Sequence, residues 1–171
     1  HLAQDLRADR ARTDHDTEAL DTIAEQVRRC RTIVRDLLAF ARGQDGRAER
    51  ADARVVVAAA KAATEAMMRE RGTRLEVRLA PDLPQILTDA SGLEQVLTAL
   101  IANAVQAAGD GGRVVVEGAR AGDGWQFAVE DSGPGIPADV LPRIFEPFFT
   151  TKAEGQGTGL GLAVSLGIVR R

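Results

Sequence analysis

Several residue types that would indicate particular kinds of protein are scarce in this chain of 171 residues. It has one cysteine, Cys30, so no disulfide can form within the chain, and a reducing compartment fits. It has no tyrosine, and its net charge is only −3. Nucleic-acid binding requires clustered and uncompensated positive charge. We therefore expect no nucleic-acid partner.

Long apolar runs are also missing. No stretch approaches the roughly 20 apolar residues that a membrane-spanning helix needs, and no signal peptide is visible. We expect a cytoplasmic location, with any membrane attachment only through segments outside this chain. Hydrophobic residues still make up 44% of the sequence, which is enough for one ordinary domain plus a small addition.

Residues 17–42 predict a long amphipathic helix that ends near Gly43. Two apolar series repeat every seven residues with an offset of three, which is the a/d pattern of a helical hairpin or bundle. Cys30 holds a d position and is expected to be a small buried hydrophobe. One helix cannot bury this seam, so it needs another helix, a second copy of the chain or both. The two series are Leu20, Val27, Val34 and Ala41, and Ile23, Cys30 and Leu37.

The polar stretch 44–53 predicts a linker between a helical segment, 1–43, and a second domain, 54–171. Helices and strands follow in uneven runs in that second domain. This order favours an α+β sandwich over a regular βαβ fold. The predicted elements are helix 54–72, strand 74–79, a short strand at 86–87, helix 92–108 capped by Ser91, and strands 113–118 and 125–130 joined by a turn at 121–124.

Asn103 borders the apolar stripe of predicted helix 92–108. A side-chain amide costs about 1–3 kcal/mol if it is buried without a partner, so we expect another group to meet it. Taken alone, a hydrogen bond to backbone explains this residue better than a ligand does. The stripe expected to face the sheet consists of Leu93, Val96, Leu97, Leu100, Ala104 and Ala107.

Asp131 ends an alternating strand and opens the loop Asp131-Ser132-Gly133-Pro134-Gly135. A carboxylate at a strand end can accept the exocyclic N–H of adenine, whereas guanine has an acceptor at that position. Gly133 and Gly135 permit close backbone approach and positive φ. The alternative is a simple turn, because Asp-Ser-Gly-Pro turns are common.

A second glycine cluster, Gly157-Thr158-Gly159-Leu160-Gly161, is predicted to open the final helix, where backbone N–H groups bind phosphate well. It follows a loop and has the wrong spacing for a Rossmann fingerprint, and it lacks the Lys-Ser/Thr pair of a P-loop. Lys152, in the preceding loop, is either a solvated lysine or a cation that neutralises phosphate. Phe145, Phe148 and Phe149 are either core residues or an anchor for that loop.

Together, these motifs resemble the ATP-binding domain of the sensor histidine kinases of two-component signalling. Residues 93–104 are similar to the N box of that family, and the clusters at 131–137 and 157–162 are similar to its glycine boxes. Residues 31–42 resemble the second helix of its dimerisation and phosphotransfer domain. The resemblance implies a Bergerat-type fold, a two-layer α/β sandwich with a mixed sheet and helices on one face, preceded by a long helix of a dimeric bundle.

The resemblance also implies a set of sites, with ATP and Mg²⁺ as cofactors. It assigns Asn103 to Mg²⁺ and Asp131 to adenine. Residues 150–157 would be a mobile lid with the three phenylalanines as its hydrophobic hinge. The other nucleotide-binding positions would be Gly133, Gly135, Lys152, Gly157, Thr158, Gly159, Leu160 and Gly161.

Three features depart from the family pattern. Ala99 stands four residues before Asn103, where related ATPases have a Glu that activates water, and this argues against a gyrase-type hydrolase. The phosphoacceptor motif, a His followed by an acidic residue and a later Pro, is absent. The chain also stops before the hairpin that completes the sheet of the family. We therefore expect a C-terminally incomplete domain that cannot autophosphorylate by itself.

For the intact protein, the resemblance implies a homodimer through the helical bundle, phosphorylation of a His by ATP, and transfer to an Asp on the receiver domain of a response regulator. The chain would then be cytoplasmic, or the cytoplasmic part of a membrane-anchored sensor. Two alternatives stay open. One is another ATPase or protein kinase with the same nucleotide fold, and the other is a nucleotide-sensing dimerisation module without phosphotransfer.

Overall fold

The computed structural model describes residues 48–170 apart from 84, 123 and 153–156, together with scattered positions between 16 and 34. Those scattered positions are helical, and their apolar side chains are more than half exposed, as in Leu20 and Val27. Cys30, expected to be buried, is exposed in this single chain, because a d position is covered only by another helix. The rest of predicted helix 17–42 lies outside the described residues.

The described part from residue 48 onward forms an α+β domain. Strands β2, β4 and β5 make a mixed sheet in which β2 runs parallel to β4 and β5 antiparallel to it. Strands β1 and β3 pair antiparallel in a small second sheet. The elements are β1 (Glu49–Asp52), α1 (Ala53–Arg71), β2 (Arg74–Leu79), β3 (Gln85–Thr88), α2 (Ala90–Ala108), β4 (Arg113–Ala121), β5 (Gly124–Asp131), a 3-10 turn (Leu141–Arg143) and α3 (Gly161–Val169).

The core lies between the larger sheet and the helices α1 and α2. Leu97 and Ile101 of α2, Val57 of α1 and Val114 of β4 are almost completely buried there. The opposite face of the sheet is polar, and Arg78 forms ion pairs on it with two glutamates. The predicted sandwich with helices on one face is therefore confirmed. No described helix is long and apolar enough to cross a membrane.

The predicted linker 44–53 is wrong at its end, because Glu49–Asp52 forms strand β1 and pairs with β3. The sequence gives no sign of this strand, since the stretch is mostly charged and gains its hydrogen bonds from a partner distant in sequence. Asp52 also caps α1, and its Oδ1 accepts a hydrogen bond of 2.8 Å from the backbone N–H of Arg54. The domain therefore begins at or before residue 49.

Helix α2 starts earlier than predicted, and its buried face is rotated. Asp89 caps it, not Ser91, because Asp89 Oδ1 accepts from the N–H of Gly92 at 3.0 Å and Ser91 lies within the first turn. Ile101 and Val105 are fully buried, whereas Ala107, expected to face the sheet, is exposed. The reason is that α2 also packs against α1 and α3, which places positions 97, 101 and 105 at the centre of its contacts.

Arg54 ties the turn after β2 to helix α1. Its guanidinium donates to the backbone oxygens of Ala80, Pro81 and Leu83 at 2.9–3.1 Å. These carbonyls come from a turn that cannot continue the sheet. That of Ala80 also accepts from the backbone N–H of Leu83 at 3.3 Å, whereas those of Pro81 and Leu83 depend on the side chain or on water for hydrogen bonds. Arg54 therefore fixes the path of the chain from the larger sheet to β3.

We expect Arg54→Met to lower the free energy of unfolding by about 1–2 kcal/mol, because three charge-assisted hydrogen bonds are lost at a site that water partly reaches. Urea unfolding followed by circular dichroism measures this. The control is Lys61→Met, at an exposed position of the same helix, which should change the stability little. Equal effects of the two substitutions would contradict the role given to Arg54.

Candidate functional site

Asp131 is the last residue of β5, as predicted, and it begins a loop that lies against the end of α2. Its Oδ1 accepts a hydrogen bond of 2.8 Å from the N–H of Gly133. No other partner of this carboxylate is found among the described residues, so Oδ2 remains available to a ligand. A Cβ at Gly133 would lie 2.5 Å from the carbonyl oxygen of Ala107. Gly133 is therefore required for the loop to approach α2.

Gly135 serves the same loop in a different way. Its φ is +76°, and an added Cβ would meet nothing within 4 Å. Glycine is thus required here for the left-handed backbone and not for lack of space.

Asn103 lies on α2, and its side-chain amide has a hydrogen-bond partner, as its position predicts. Its Oδ1 accepts a hydrogen bond of 3.0 Å from Nζ of Lys152. Lys152 also donates to Oε1 of Gln106, one turn further along the helix. Burial lowers the pKa of Lys152, and the positive charge of Arg71 lowers it further. Of the two interpretations of Lys152, the solvated lysine is therefore wrong in this structure.

Gln106 did not appear among the predicted site residues. It follows Asn103 by three positions, and residues three apart lie next to each other on a helix surface. The spacing was therefore visible in the sequence. What the sequence could not show is that a lysine 46 residues later folds back onto this helix face.

Two loops meet at the beginning of the predicted lid. The N–H of Phe148 donates to the carbonyl oxygen of Gly159 at 3.0 Å. Both residues have φ of +67°, and a Cβ at Gly159 would lie 2.4 Å from the carbonyl carbon of Phe148. A left-handed phenylalanine is an unfavourable conformation that the surrounding contacts must hold. Gly159 therefore allows the two loops to touch through their backbones.

The phenylalanines before the lid are not core residues. Phe145 and Phe148 are exposed, and the ring of Phe149 lies under the guanidinium of Arg143 with 4.2 Å between the guanidinium carbon and the ring centroid. This is a cation–π contact at the protein surface. The role of the three residues as a lid hinge stays a prediction.

The second glycine cluster leads into α3, but the helix begins at Gly161 and not at Gly157. The first helical bond is from Val164 to the oxygen of Leu160, so the N–H groups of residues 161–163 have no partner within the helix. No side chain in the part of the chain that the structure describes caps this end, and the first turn of the helix has no acidic residue. These free donors are suited to an anion.

Helix α3 also lies close to α2. A Cβ added at Gly161 would come within 4.0 Å of the Cβ of Ala99. Two small residues therefore let the N-terminal end of α3 approach the turn of α2 that precedes Asn103. Leu160 is 1% exposed and anchors this end of the cluster in the protein.

These groups fit Mg²⁺ and ATP. The ammonium of Lys152 is a cation that already rests on Asn103 Oδ1, and a neutral amide oxygen is a ligand that Mg²⁺ accepts. Among the described residues, no group of three or more His, Cys, Asp or Glu could hold a metal ion. A metal at Asn103 would therefore take its other ligands from phosphate and water.

Comparisons with known proteins agree with this geometry. Residues 88–171 match the family described as histidine kinase-, DNA gyrase B-, and HSP90-like ATPase. Sensor kinase CckA of Brucella abortus (strain 2308) is 37% identical over 164 residues, which cover 87% of this chain and 17% of that protein. The chain thus spans less than a fifth of the length of this relative.

Two solved structures share the fold. The mycobacterial sensor histidine kinase MprB is 31% identical with a TM-score of 0.60, covering 72% of this chain and 78% of that one. Full-length ShkA in complex with AMPPNP is 30% identical with a TM-score of 0.69, covering 81% of this chain and 30% of that one. The fold and site define an ATPase of the histidine kinase and gyrase B type. Within that class, the chain belongs to the sensor histidine kinases, as the resemblance of its motifs predicts.

We expect Gly159→Ala to destabilise the domain by about 2 kcal/mol or more, because the new methyl group meets the backbone of Phe148 and the left-handed φ penalises a side chain. The measurement is the urea unfolding midpoint. Gly167→Ala is the matched control on α3, where an added Cβ meets nothing within 4 Å, and it should be neutral or stabilising. A neutral Gly159→Ala would contradict the backbone contact.

Proposed function

We propose that this chain is the ATP-binding catalytic region of a two-component sensor histidine kinase, and that it binds Mg²⁺–ATP between α2, the Asp131 loop and the start of α3. The observation that carries the proposal is the cation on Asn103 Oδ1, near a helix start that no described side chain caps. A phosphate chain with its metal needs both features. The relative ShkA, whose structure contains AMPPNP, supports the same occupant.

Each part of the nucleotide would meet a different part of the chain. Asp131 would accept the exocyclic N–H of adenine through Oδ2, with the Gly133 turn holding its other oxygen. Residues 161–163 would donate backbone N–H groups to the phosphates, and Thr158 and Leu160 would hold that turn in place. Lys152 would add positive charge beside the terminal phosphate.

Asn103 would ligate Mg²⁺ through Oδ1. When bound, the ion neutralises phosphate charge and holds the terminal phosphate in place for transfer. The contribution of the protein to such a reaction is mainly the positioning of donors and of charge. Asn103, Lys152 and the N-terminal turn of α3 are the groups of this chain that supply it.

For the whole protein, we propose a homodimer built on the a/d seam of residues 17–42. The exposure of Leu20, Ile23 and Val27 in the single chain supports this, because such a row of apolar side chains requires another helix. The phosphoryl group would then pass from ATP to a His that no motif of this chain identifies. From that His it would pass to an Asp of the response regulator. A cytoplasmic location follows from the need for ATP.

The main competing function is that of an ATP hydrolase with the same fold. Ala99 opposes it, because this residue has no side chain that can act as a base and its methyl group is close to Gly161. Water activation would then lack its usual carboxylate one turn before Asn103. No observation among the described residues favours a nucleotide-sensing module without phosphotransfer.

Asp131→Asn should weaken the binding of an ATP analogue roughly 10- to 100-fold, the effect of losing one hydrogen bond to a charged acceptor. Isothermal titration calorimetry provides the affinities. Glu130→Gln is the matched control, since it removes the same charge from the neighbouring residue, which is exposed on the opposite face of the strand. An unchanged affinity for Asp131→Asn would refute the adenine assignment.

Asn103→Ala should abolish the gain in analogue affinity that Mg²⁺ produces, while metal-free binding remains within a few-fold of the original, on the order of 1 kcal/mol. The same titration, performed with Mg²⁺ and with a chelator, separates the two effects. If Mg²⁺ improves binding equally in the variant and in the original chain, the metal assignment is wrong.

A further inference from the structure

Lys152 is held by two amide oxygens of one helix face. Asn103 Oδ1 accepts from Nζ at 3.0 Å, and Gln106 Oε1 accepts from the same nitrogen. The two acceptors are three residues apart on α2, so they lie side by side. The lysine side chain is partly buried between them and the returning chain, where a Cβ at Gly157 would lie 3.1 Å from Lys152 Cδ.

The two acceptors have different tasks when a nucleotide binds. Asn103 is the residue assigned to Mg²⁺, so its oxygen cannot serve the ammonium and the metal equally well. Gln106 is not assigned to the metal. It is therefore the acceptor that can keep Lys152 at the phosphate end of the site both before and after the metal arrives.

We propose that Gln106 is a positioning residue, which holds Lys152 over the metal end of the site and lets its ammonium take the place of the metal on Asn103 in the nucleotide-free protein. This inference rests on the proposed function, because Asn103 lies at the metal end of a site only if the chain binds Mg²⁺–ATP there. The contact itself is independent of it, because all three side chains belong to this chain. Gln106 thus determines the position of Lys152, which lies in the predicted lid.

The sequence offers an internal reference for a test. Lys61 and Lys152 are the only two lysines, and Lys61 is exposed on α1. The nucleotide-free chain is treated briefly with an acetylating N-hydroxysuccinimide ester, and mass spectrometry gives the labelling rate at each lysine. Burial lowers the pKa of Lys152, which favours acylation, whereas two hydrogen bonds hold its nitrogen away from the reagent. The contact is therefore tested by comparing variants, with the rate at Lys61 as the reference in each.

Gln106→Ala should raise the labelling rate of Lys152 relative to Lys61 about tenfold, the effect of one charge-assisted hydrogen bond on the engaged population. Gln106→Glu keeps an acceptor and should keep Lys152 protected. Gln95→Ala is the control on the same helix, about 16 Å away along its axis, and should leave the ratio unchanged. An unchanged urea unfolding midpoint shows that the variant domain stays folded.

Two results would overturn the proposal. One is an unchanged ratio of Lys152 to Lys61 labelling in Gln106→Ala, which would mean that the contact with Gln106 is not made. The other is equal labelling of Lys152 in Gln106→Ala and Gln106→Glu, which would assign the protection to packing. Neither result depends on nucleotide binding, so a failure of the ATP site would be seen separately by calorimetry.

Discussion

The packing of helix α2 on the sheet is the constraint on which the site depends. Leu97, Ile101 and Val105 are almost completely buried on one face of this helix, and burying each such side chain contributes roughly 1.5–3 kcal/mol. That face fixes the rotation of the helix. Asn103 and Gln106 consequently lie at the edge of the buried face, where they receive Lys152.

The remaining parts of the site reach α2 through close backbone contacts. Gly133 brings the Asp131 loop against the carbonyl of Ala107, and Gly159 brings the second glycine cluster against Phe148. At both places a methyl group would overlap a backbone atom. The glycine motifs therefore have a steric reason in this structure that is separate from any contact with a ligand.

Local patterns were enough to predict much of this. Three features could be predicted because each depends on neighbouring residues: the alternation of residues 74–79, the end of β5 at Asp131 and the apolar face of α2 near Leu97. The order of the motifs along the chain carried the resemblance to the family. Strand β1 and the contact between Gln106 and Lys152 were missed because they depend on distant partners. The residues of β1 pair with residues 33 to 39 positions later, and Lys152 follows Gln106 by 46 positions. The cap of α2 was missed because Asp89 and Ser91 are both good caps in sequence, and only the backbone path chooses between them.

We propose that one site binds both adenine and a Mg²⁺-bound phosphate chain. The most direct measurement is calorimetric titration of this chain with AMPPNP and with the corresponding guanine analogue, each with Mg²⁺ and with a chelator. We expect AMPPNP to bind in the micromolar range with Mg²⁺, more weakly without it, and the guanine analogue to bind far more weakly. Equal affinity for the two bases, or no effect of Mg²⁺ on AMPPNP, would contradict the account.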